Sequence, residues 1–226
     1  MEPKQTAALR ALEEVEDGML LGLGTGSTAA FYIDALGERV RAGLSVTAVA
    51  TSKASALQAA GYGITLQDSV DRPIDLTVDG ADEIGPGLAL IKGGGGALLR
   101  EKLVWEASRR CVVIADETKR VAMLGRYPLP IEVVPFGHTI TLRRIIEGLA
   151  DCGVAARPQL RHRDGAPFVT DSGNLLYDAP CGAILDPTGV EAALKSITGV
   201  VEHGLFLDLA DLALIGGDAG VTRLEP

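Results

Sequence analysis

Apolar residues follow two spacings along the first half of this chain, and together the spacings predict strands that alternate with helices. Short continuous apolar runs are typical of strands buried on both faces, whereas apolar residues three and four positions apart indicate helices. The predicted helices span residues 4–15, 29–40, 54–60 and 97–109. The predicted strands span residues 19–23, 46–50, 76–78 and 111–115. This alternation favours a parallel sheet with helices on both faces.

The pattern changes near Pro128 and Pro130, where several strands follow one another. Asp164 and Gly165 indicate a hairpin, and Asp186 followed by proline indicates the start of a helix. Further helices are predicted at 139–150 and up to residue 196. Strand-like segments lie at 131–134, 155–163, 167–170, 175–177, 200–206 and 212–215. The predicted fold class is α/β. A Rossmann-like parallel-sheet domain (1–127 and 207–226) carries a smaller inserted α+β domain of the ferredoxin-like kind (128–206).

The amino-acid composition limits the classes of protein to which this chain can belong. The chain has 226 residues, 47% of them apolar and 23% charged, as in ordinary soluble globular proteins. No apolar run approaches the roughly 18 residues of a membrane span, so no membrane partner is expected. The chain begins with a polar helical pattern rather than a signal peptide, and a cytoplasmic location is therefore expected. The net charge of −9 disfavours nucleic acid as a partner.

The three cysteines form no CxxC pair, and the three histidines are scattered without metal-ligand spacing. Neither a disulfide framework nor a metal site is predicted. Cys111 opens an apolar run and is expected in a core strand.

The loop after the first predicted strand contains Gly22, Gly24 and Gly26 and invites a dinucleotide interpretation. The full fingerprint needs glycine where the chain has Ser27, and an acid at the end of the next strand, where Thr51 and Ser52 stand. A phosphate cradle fits better, with hydroxyls and helix N-terminal N–H groups facing an anion. The alternative is a glycine turn in which Ser27 or Thr28 is an ordinary N-cap. The candidate binding residues are Thr25, Gly26, Ser27 and Thr28.

A second polar turn, Asp79-Gly80-Ala81-Asp82-Glu83, follows the strand at 76–78. Open α/β sheets bind ligands at such strand ends, and Asp79 and Asp82 are suited to orient sugar hydroxyls. A solvated acidic turn is the alternative, and Glu83 is the member expected to be exposed.

A lysine, four glycines and a glutamate come next. Four glycines in a row cost backbone entropy, so such a run indicates close backbone approach or positive φ. Lys92 before the run is placed to meet an anion or a developing oxyanion. Glu101 lies on the following helix, in its predicted second turn. Taken by itself, it is better interpreted as a surface partner of Arg100 or Lys102 than as a site residue. A small anionic molecule undergoing proton transfer is the expected ligand.

Taken together, these segments resemble ribose-5-phosphate isomerases of the A type. The resemblance covers almost the whole chain in order and is carried mainly by Gly24-Thr25-Gly26-Ser27-Thr28, Asp79-Gly80-Ala81-Asp82-Glu83, Lys92-Gly93-Gly94-Gly95 and Arg100-Glu101-Lys102.

The resemblance implies interconversion of D-ribose 5-phosphate and D-ribulose 5-phosphate through an enediol, in the non-oxidative branch of the pentose phosphate pathway, without metal or cofactor. It implies that Glu101 is the general base and that Lys92, with the N–H groups of Gly93, Gly94 and Gly95, stabilises the enediolate. Asp79 and Asp82 would hold hydroxyls and move protons between O1 and O2. Further substrate contacts are implied at residues 25–28, Gly80, Ala81 and Lys119.

Two other classes of function stay open. One is a non-catalytic sugar-phosphate sensor, although no basic DNA-binding segment accompanies the fold. The other is a nucleotide-dependent oxidoreductase, which Ser27 and the missing acid disfavour. The resemblance also implies a homodimer or homotetramer.

Overall fold

The computed structural model describes residues 2–226, which form six α-helices and sixteen strands. The helices are α1 (Pro3–Ala11), α2 (Ser27–Arg41), α3 (Lys53–Gly61), α4 (Leu98–Glu106), α5 (His138–Asp151) and α6 (Pro187–Lys195). The strands are β1 (Leu20–Leu23), β2 (Thr47–Ala50), β3 (Thr65–Leu66), β4 (Leu76–Asp79), β5 (Glu83–Ile84), β6 (Leu90–Ile91), β7 (Cys111–Asp116), β8 (Leu129–Val133), β9 (Gln159–Leu160), β10 (His162–Arg163), β11 (Ala166–Pro167), β12 (Leu175–Ala179), β13 (Val200–His203), β14 (Leu205–Phe206), β15 (Leu212–Gly217) and β16 (Gly220–Leu224).

The first of two compact units comprises the segments ending at Ala81, Arg100–Arg120 and Asp208–Pro226. Its seven-stranded sheet has the order β16-β15-β7-β4-β1-β2-β3. Neighbouring strands from β15 to β3 are parallel, and β16 is antiparallel to β15. The predicted parallel sheet is therefore confirmed, and the strand at 212–215 does join it.

Both faces of this sheet are covered, as the continuous apolar strands predict. Leu21 and Leu23 of β1 belong to the main core cluster, which includes residues of α1 and α2. Leu20, which points to the other face, packs with Ile74 and with Val104 of α4. Successive side chains of β1 therefore pack into two separate core layers, one on each face of the sheet.

The second unit comprises Asp82–Leu99 and Val121–Leu207. It holds an antiparallel sheet of order β13-β8-β12-β9, with α5 and α6 contributing Ile145, Leu149, Val190 and Leu194 to its apolar core. This is the predicted α+β arrangement. The β10–β11 hairpin is also confirmed, since Asp164 and Gly165 have φ values of 53° and 81° at its turn.

Two short elements depart from the sequence prediction. The predicted strand at 200–206 is two strands, because the chain changes partners at Gly204: β13 pairs with β8, whereas β14 pairs with β6. β5, β6 and β14 form a small three-stranded sheet, and this pairing groups residues 82–99 with the second unit. The predicted domain bounds, which place 82–99 in the first domain, remain a proposal.

Within residues 2–226, the helices are too short or too polar to cross a membrane.

Candidate active site

The candidate residues of the first unit lie where parallel strands end. Thr25, Thr51 and Lys119 lie in the loops after β1, β2 and β7, and Asp79 is the last residue of β4. These four strands are neighbours in the sheet. From β1 the sheet continues in one direction through β2 and β3, and in the other through β4. Open α/β sheets bind ligands at such a point of divergence, at the carboxyl ends of the strands.

Asp79 is bound to the loop that follows β1. Its side chain is fully buried, and Oδ1 accepts hydrogen bonds from the N–H groups of Thr25 at 3.0 Å and Gly80 at 2.7 Å. A Cβ on Gly24 would lie 2.1 Å from that same oxygen, so only glycine allows this approach. The structure therefore joins two motifs that lie 54 residues apart, and the solvated-turn alternative for Asp79 is excluded.

A network of hydroxyl groups fixes the same loop from the side of β2. The Thr25 hydroxyl lies 2.7 Å from that of Thr51, which also donates to the carbonyl oxygen of Leu23 at 3.1 Å. Ser55 donates to the carbonyl oxygen of Gly24 at 2.7 Å, and Ser52 caps α3 by accepting from the Ser55 N–H. A dinucleotide site would place an acid at the end of β2 to bind the ribose. Here the end of β2 carries hydroxyl groups that hydrogen-bond to other protein atoms.

The N-terminus of α2 has no side-chain cap. Gly26, with φ of 105°, occupies the N-cap position, and Ser27 and Thr28 are the first helical residues. The alternative in which one of these hydroxyls is the N-cap is therefore wrong. First-turn N–H groups of a helix attract anions when no side chain satisfies them.

Lys4 contacts this helix terminus, and no sequence pattern predicted the contact. Its Nζ donates to the Ser27 hydroxyl at 3.2 Å from the first turn of α1. No local motif marks Lys4, because the contact spans 23 residues. The cation makes the loop more suitable for an anion than the net charge of the chain implies.

The glycine run in the second unit binds Asp82. Gly93 and Gly96 have φ values of 101° and 86°, as a glycine-specific run predicts. The Gly94 N–H donates to Asp82 Oδ2 at 2.7 Å, and a Cβ on Gly94 would lie 2.5 Å from Oδ1 of the same carboxylate. The run therefore provides the close backbone approach that its composition indicates.

Lys92 and Tyr127 are buried or half-buried polar groups of the same unit. Lys92 is only 2% exposed, its N–H donates to the Gly204 carbonyl oxygen at 2.9 Å, and its Nζ lies 5.5 Å from the Phe206 ring centroid. Burial, followed by the charge of Asp82, raises the pKa of Tyr127 above its usual value. A buried lysine beside a glycine run is not an ordinary surface charge.

The expectation that Glu83 is exposed was wrong. It is 1% exposed, and its carboxylate accepts the N–H groups of Gly125 at 2.7 Å and Tyr127 at 2.6 Å. Its role is to fix the 125–127 loop. The sequence could not indicate this because the two donors lie more than 40 residues away.

Glu101 lies in the first turn of α4, one turn earlier than predicted. It is 4% exposed, so the alternative of a surface ion-pair partner is excluded. Carboxylates are seldom so buried unless hydrogen bonds or charges compensate. Lys119, in a short 3₁₀ turn after β7, is half-buried.

No three His, Cys, Asp or Glu side chains of residues 2–226 form a group suited to a metal ion. The thiol of Cys181 is half-buried, and burial raises its pKa to about 11. It is therefore protonated and a poor nucleophile at neutral pH.

Comparisons with known proteins agree with this geometry. Residues 47–220 match the family model of ribose 5-phosphate isomerase A (phosphoriboisomerase A). The ribose-5-phosphate isomerase A of Caulobacter vibrioides is 58% identical over 225 residues, which cover 99% of this chain and 97% of that protein. The ribose 5-phosphate isomerase A structure from Methanocaldococcus jannaschii superposes with a TM-score of 0.91 at 38% identity, covering 100% of this chain and 99% of that one.

A second solved structure holds a ligand. A D-ribose-5-phosphate isomerase in complex with phospho-erythronic acid is 40% identical, with a TM-score of 0.90 and coverage of 100% of this chain and 98% of that one. Full-length similarity at these levels, together with the strand-end loops described above, shows that the chain belongs to the ribose 5-phosphate isomerase A family.

Proposed function

We propose that this protein is an aldose–ketose isomerase that interconverts D-ribose 5-phosphate and D-ribulose 5-phosphate through an enediol. The observation that carries the proposal is the full-length match to isomerases of this name, one of which binds phospho-erythronic acid. That ligand combines a phosphate with a planar, anionic carboxylate, and so resembles an enediolate in charge and shape. The reaction belongs to the pentose phosphate pathway.

The reaction needs a base for a weakly acidic C–H group. A proton leaves C2 of the aldose and a proton is added at C1, while the hydroxyl proton moves from O2 to O1. We assign the carbon proton transfer to Glu101, because a positioned carboxylate can accept the proton and return it one carbon away. Its burial, at 4% exposure, protects it from water.

The enediolate oxygen needs positive charge or hydrogen-bond donors. We assign this role to Lys92 and to the N–H groups of Gly93 and Gly95, with Asp79 and Asp82 holding hydroxyls and moving protons between oxygens. Fixed donors in a site that excludes water stabilise developing charge strongly. The Gly94 N–H contributes through Asp82, to which it donates at 2.7 Å. Gly80 and Ala81 complete the substrate-binding turn after β4.

The phosphate is assigned to the N-terminus of α2. Residues 25–28 offer N–H groups and hydroxyls, and Lys4 adds a cation 3.2 Å from the Ser27 hydroxyl. This local cradle explains how a chain of net charge −9 can bind an anion. Lys119 is proposed as a further substrate contact.

Replacing Thr28 by alanine is expected to raise KM about 10- to 100-fold with a smaller change in kcat, since a hydrogen bond to a charged group is worth about 1.5–3 kcal/mol. Steady-state kinetics with ribose 5-phosphate measure both constants. Thr222→Ala on β16, where Thr222 is exposed, is the matched control. An unchanged KM in Thr28→Ala would place the phosphate elsewhere.

One assay separates the isomerase from the other classes of function. The purified protein is mixed with ribose 5-phosphate in EDTA and without NAD, and ketose formation is followed. The isomerase produces ribulose 5-phosphate under these conditions. A sensor would bind the sugar without turnover, and an oxidoreductase would need the nucleotide.

We also propose that the protein is a cytoplasmic homodimer or homotetramer. Val134, Phe136 and Ile140, near the start of α5, have exposed apolar side chains, and Phe136 is 93% exposed. Exposed apolar patches mark surfaces at which proteins associate, so this cluster supports an oligomer. Sedimentation at the 23.5 kDa of a single chain, at micromolar concentration, would contradict the assembly.

A further inference from the structure

Arg161 lies in the second unit between β9 and β10, within the predicted strand-like segment 155–163, and binds the glycine run. Its side chain is 13% exposed. Nη1 donates to the carbonyl oxygens of Gly93 at 3.0 Å and Gly94 at 3.2 Å. A half-buried guanidinium thus holds main-chain atoms next to Lys92, a candidate catalytic residue.

Asp178 on β12 fixes the orientation of this guanidinium. Arg161 Nε donates to Asp178 Oδ2 at 2.8 Å, and Nη2 donates to Oδ1. Two parallel hydrogen bonds from a planar fork define the plane of the group as well as its position. A lysine could reproduce the charge of Arg161 but not this geometry.

One peptide group joins Arg161 to Asp82. The carbonyl of Gly93 and the N–H of Gly94 belong to the same planar unit and point in opposite directions. Arg161 binds the carbonyl end, and Asp82 Oδ2 accepts the N–H end at 2.7 Å. Rotation of this peptide would remove both contacts at once.

The two flanking residues are glycines, so the main chain offers little steric resistance to such a rotation. Gly93 already has φ of 101°, a conformation that most residues avoid. Hydrogen bonds therefore contribute much of the rigidity of this peptide. Its carbonyl oxygen accepts from Arg161 Nη1 at 3.0 Å and from the Gly96 N–H at 3.0 Å, and Arg161 supplies the side-chain contact of the two.

We propose that Arg161, oriented by Asp178, is a positioning residue for Asp82 and acts through the Gly93–Gly94 peptide group. The inference rests on the proposed function, because the orientation of Asp82 affects turnover only if Asp82 contacts the sugar. Arg161 itself is not assigned a contact with substrate.

Arg161→Lys is expected to lower kcat about 10- to 100-fold and to change KM less than about threefold, since small misplacements of catalytic groups cost up to about 10²-fold. Arg163→Lys is the matched control: Arg163 is exposed and lies 4.3 Å from the same Phe168 ring that Arg161 approaches at 5.9 Å. Equal kinetics for the two variants would overturn the inference.

A double-mutant cycle tests whether Arg161 acts through Asp82. In an Asp82→Asn background, Arg161→Lys is expected to reduce kcat less than about threefold further, because the group it positions is already disabled. Losses that multiply as if the residues were independent would contradict the mechanism.

Amide hydrogen exchange at Gly94 provides a readout that does not depend on activity. In Arg161→Lys the Gly94 amide is expected to exchange at least about tenfold faster, with amides of β7 unchanged. Unchanged exchange at Gly94 would overturn the inference even if activity fell. If the wild-type protein did not isomerise the sugar, the proposed function would fail, whereas this exchange measurement would still report the contact.

Discussion

Replacing Glu101 by glutamine is expected to lower kcat by about 10²–10⁴-fold while KM changes little. The amide has nearly the same shape as the carboxylate, so substrate can still bind, but it cannot take a proton from carbon. Glu101 is 4% exposed in the first turn of α4, and the fold therefore keeps the substituted side chain in place. Initial rates of ribulose 5-phosphate formation measure the loss.

Glu106 offers a control on the same helix. It is exposed at the other end of α4, and Glu106→Gln is expected to retain wild-type kinetics. Near-normal kcat in Glu101→Gln would remove Glu101 as the base. A fall in the melting temperature of Glu101→Gln but not of Glu106→Gln would instead indicate that the buried carboxylate supports the fold.

Lys92→Met is expected to be the next most damaging change, with kcat reduced about 10²–10³-fold, or about 2.7–4 kcal/mol of transition-state stabilisation. Methionine has a similar length and can fill the space beside the Phe206 ring, which lies 5.5 Å from Nζ. The positive charge that stabilises the enediolate is lost. Measuring kcat and KM separately identifies the effect, because loss of simple binding energy would raise KM instead.

Lys195 provides the comparison for Lys92. It lies in the second unit, half-exposed, and donates to Glu202 at 2.6 Å. Lys195→Met removes the same charge from the same unit and is expected to lower stability without changing kcat. Comparable kcat losses in the two variants would show that the effect of removing a lysine charge does not depend on its position in this unit, and the assignment of Lys92 would be wrong.

The arrangement of the candidate residues at the strand ends was predictable in large part because its signals are local. Thr25 and Asp79 each follow an apolar strand directly, and strand ends of a parallel sheet meet at one edge. The four-glycine composition also predicted close backbone approach or positive φ, and Gly93 and Gly96 do have positive φ. These features need only the chain near each motif, and the structure confirms them.

The remainder depends on contacts that no local pattern contains. Glu83 looked exposed because its donors at 125 and 127 are distant in sequence, and Lys4 and Arg161 carry no motif. Strands of two residues, such as β5 and β6, are too short to show a period. The helical pattern around Glu101 also did not indicate that this side chain is buried.

The position of β15 in the seven-stranded sheet has a consequence for folding of the chain during its synthesis. β15 lies between β7 and β16, and α1 packs against it, although α1 is made long before β15. Domains tend to fold as units while translation proceeds, but this sheet lacks an inner strand until β15 has left the ribosome. The nascent chain therefore presents the edge of β7 as an open template for other strands.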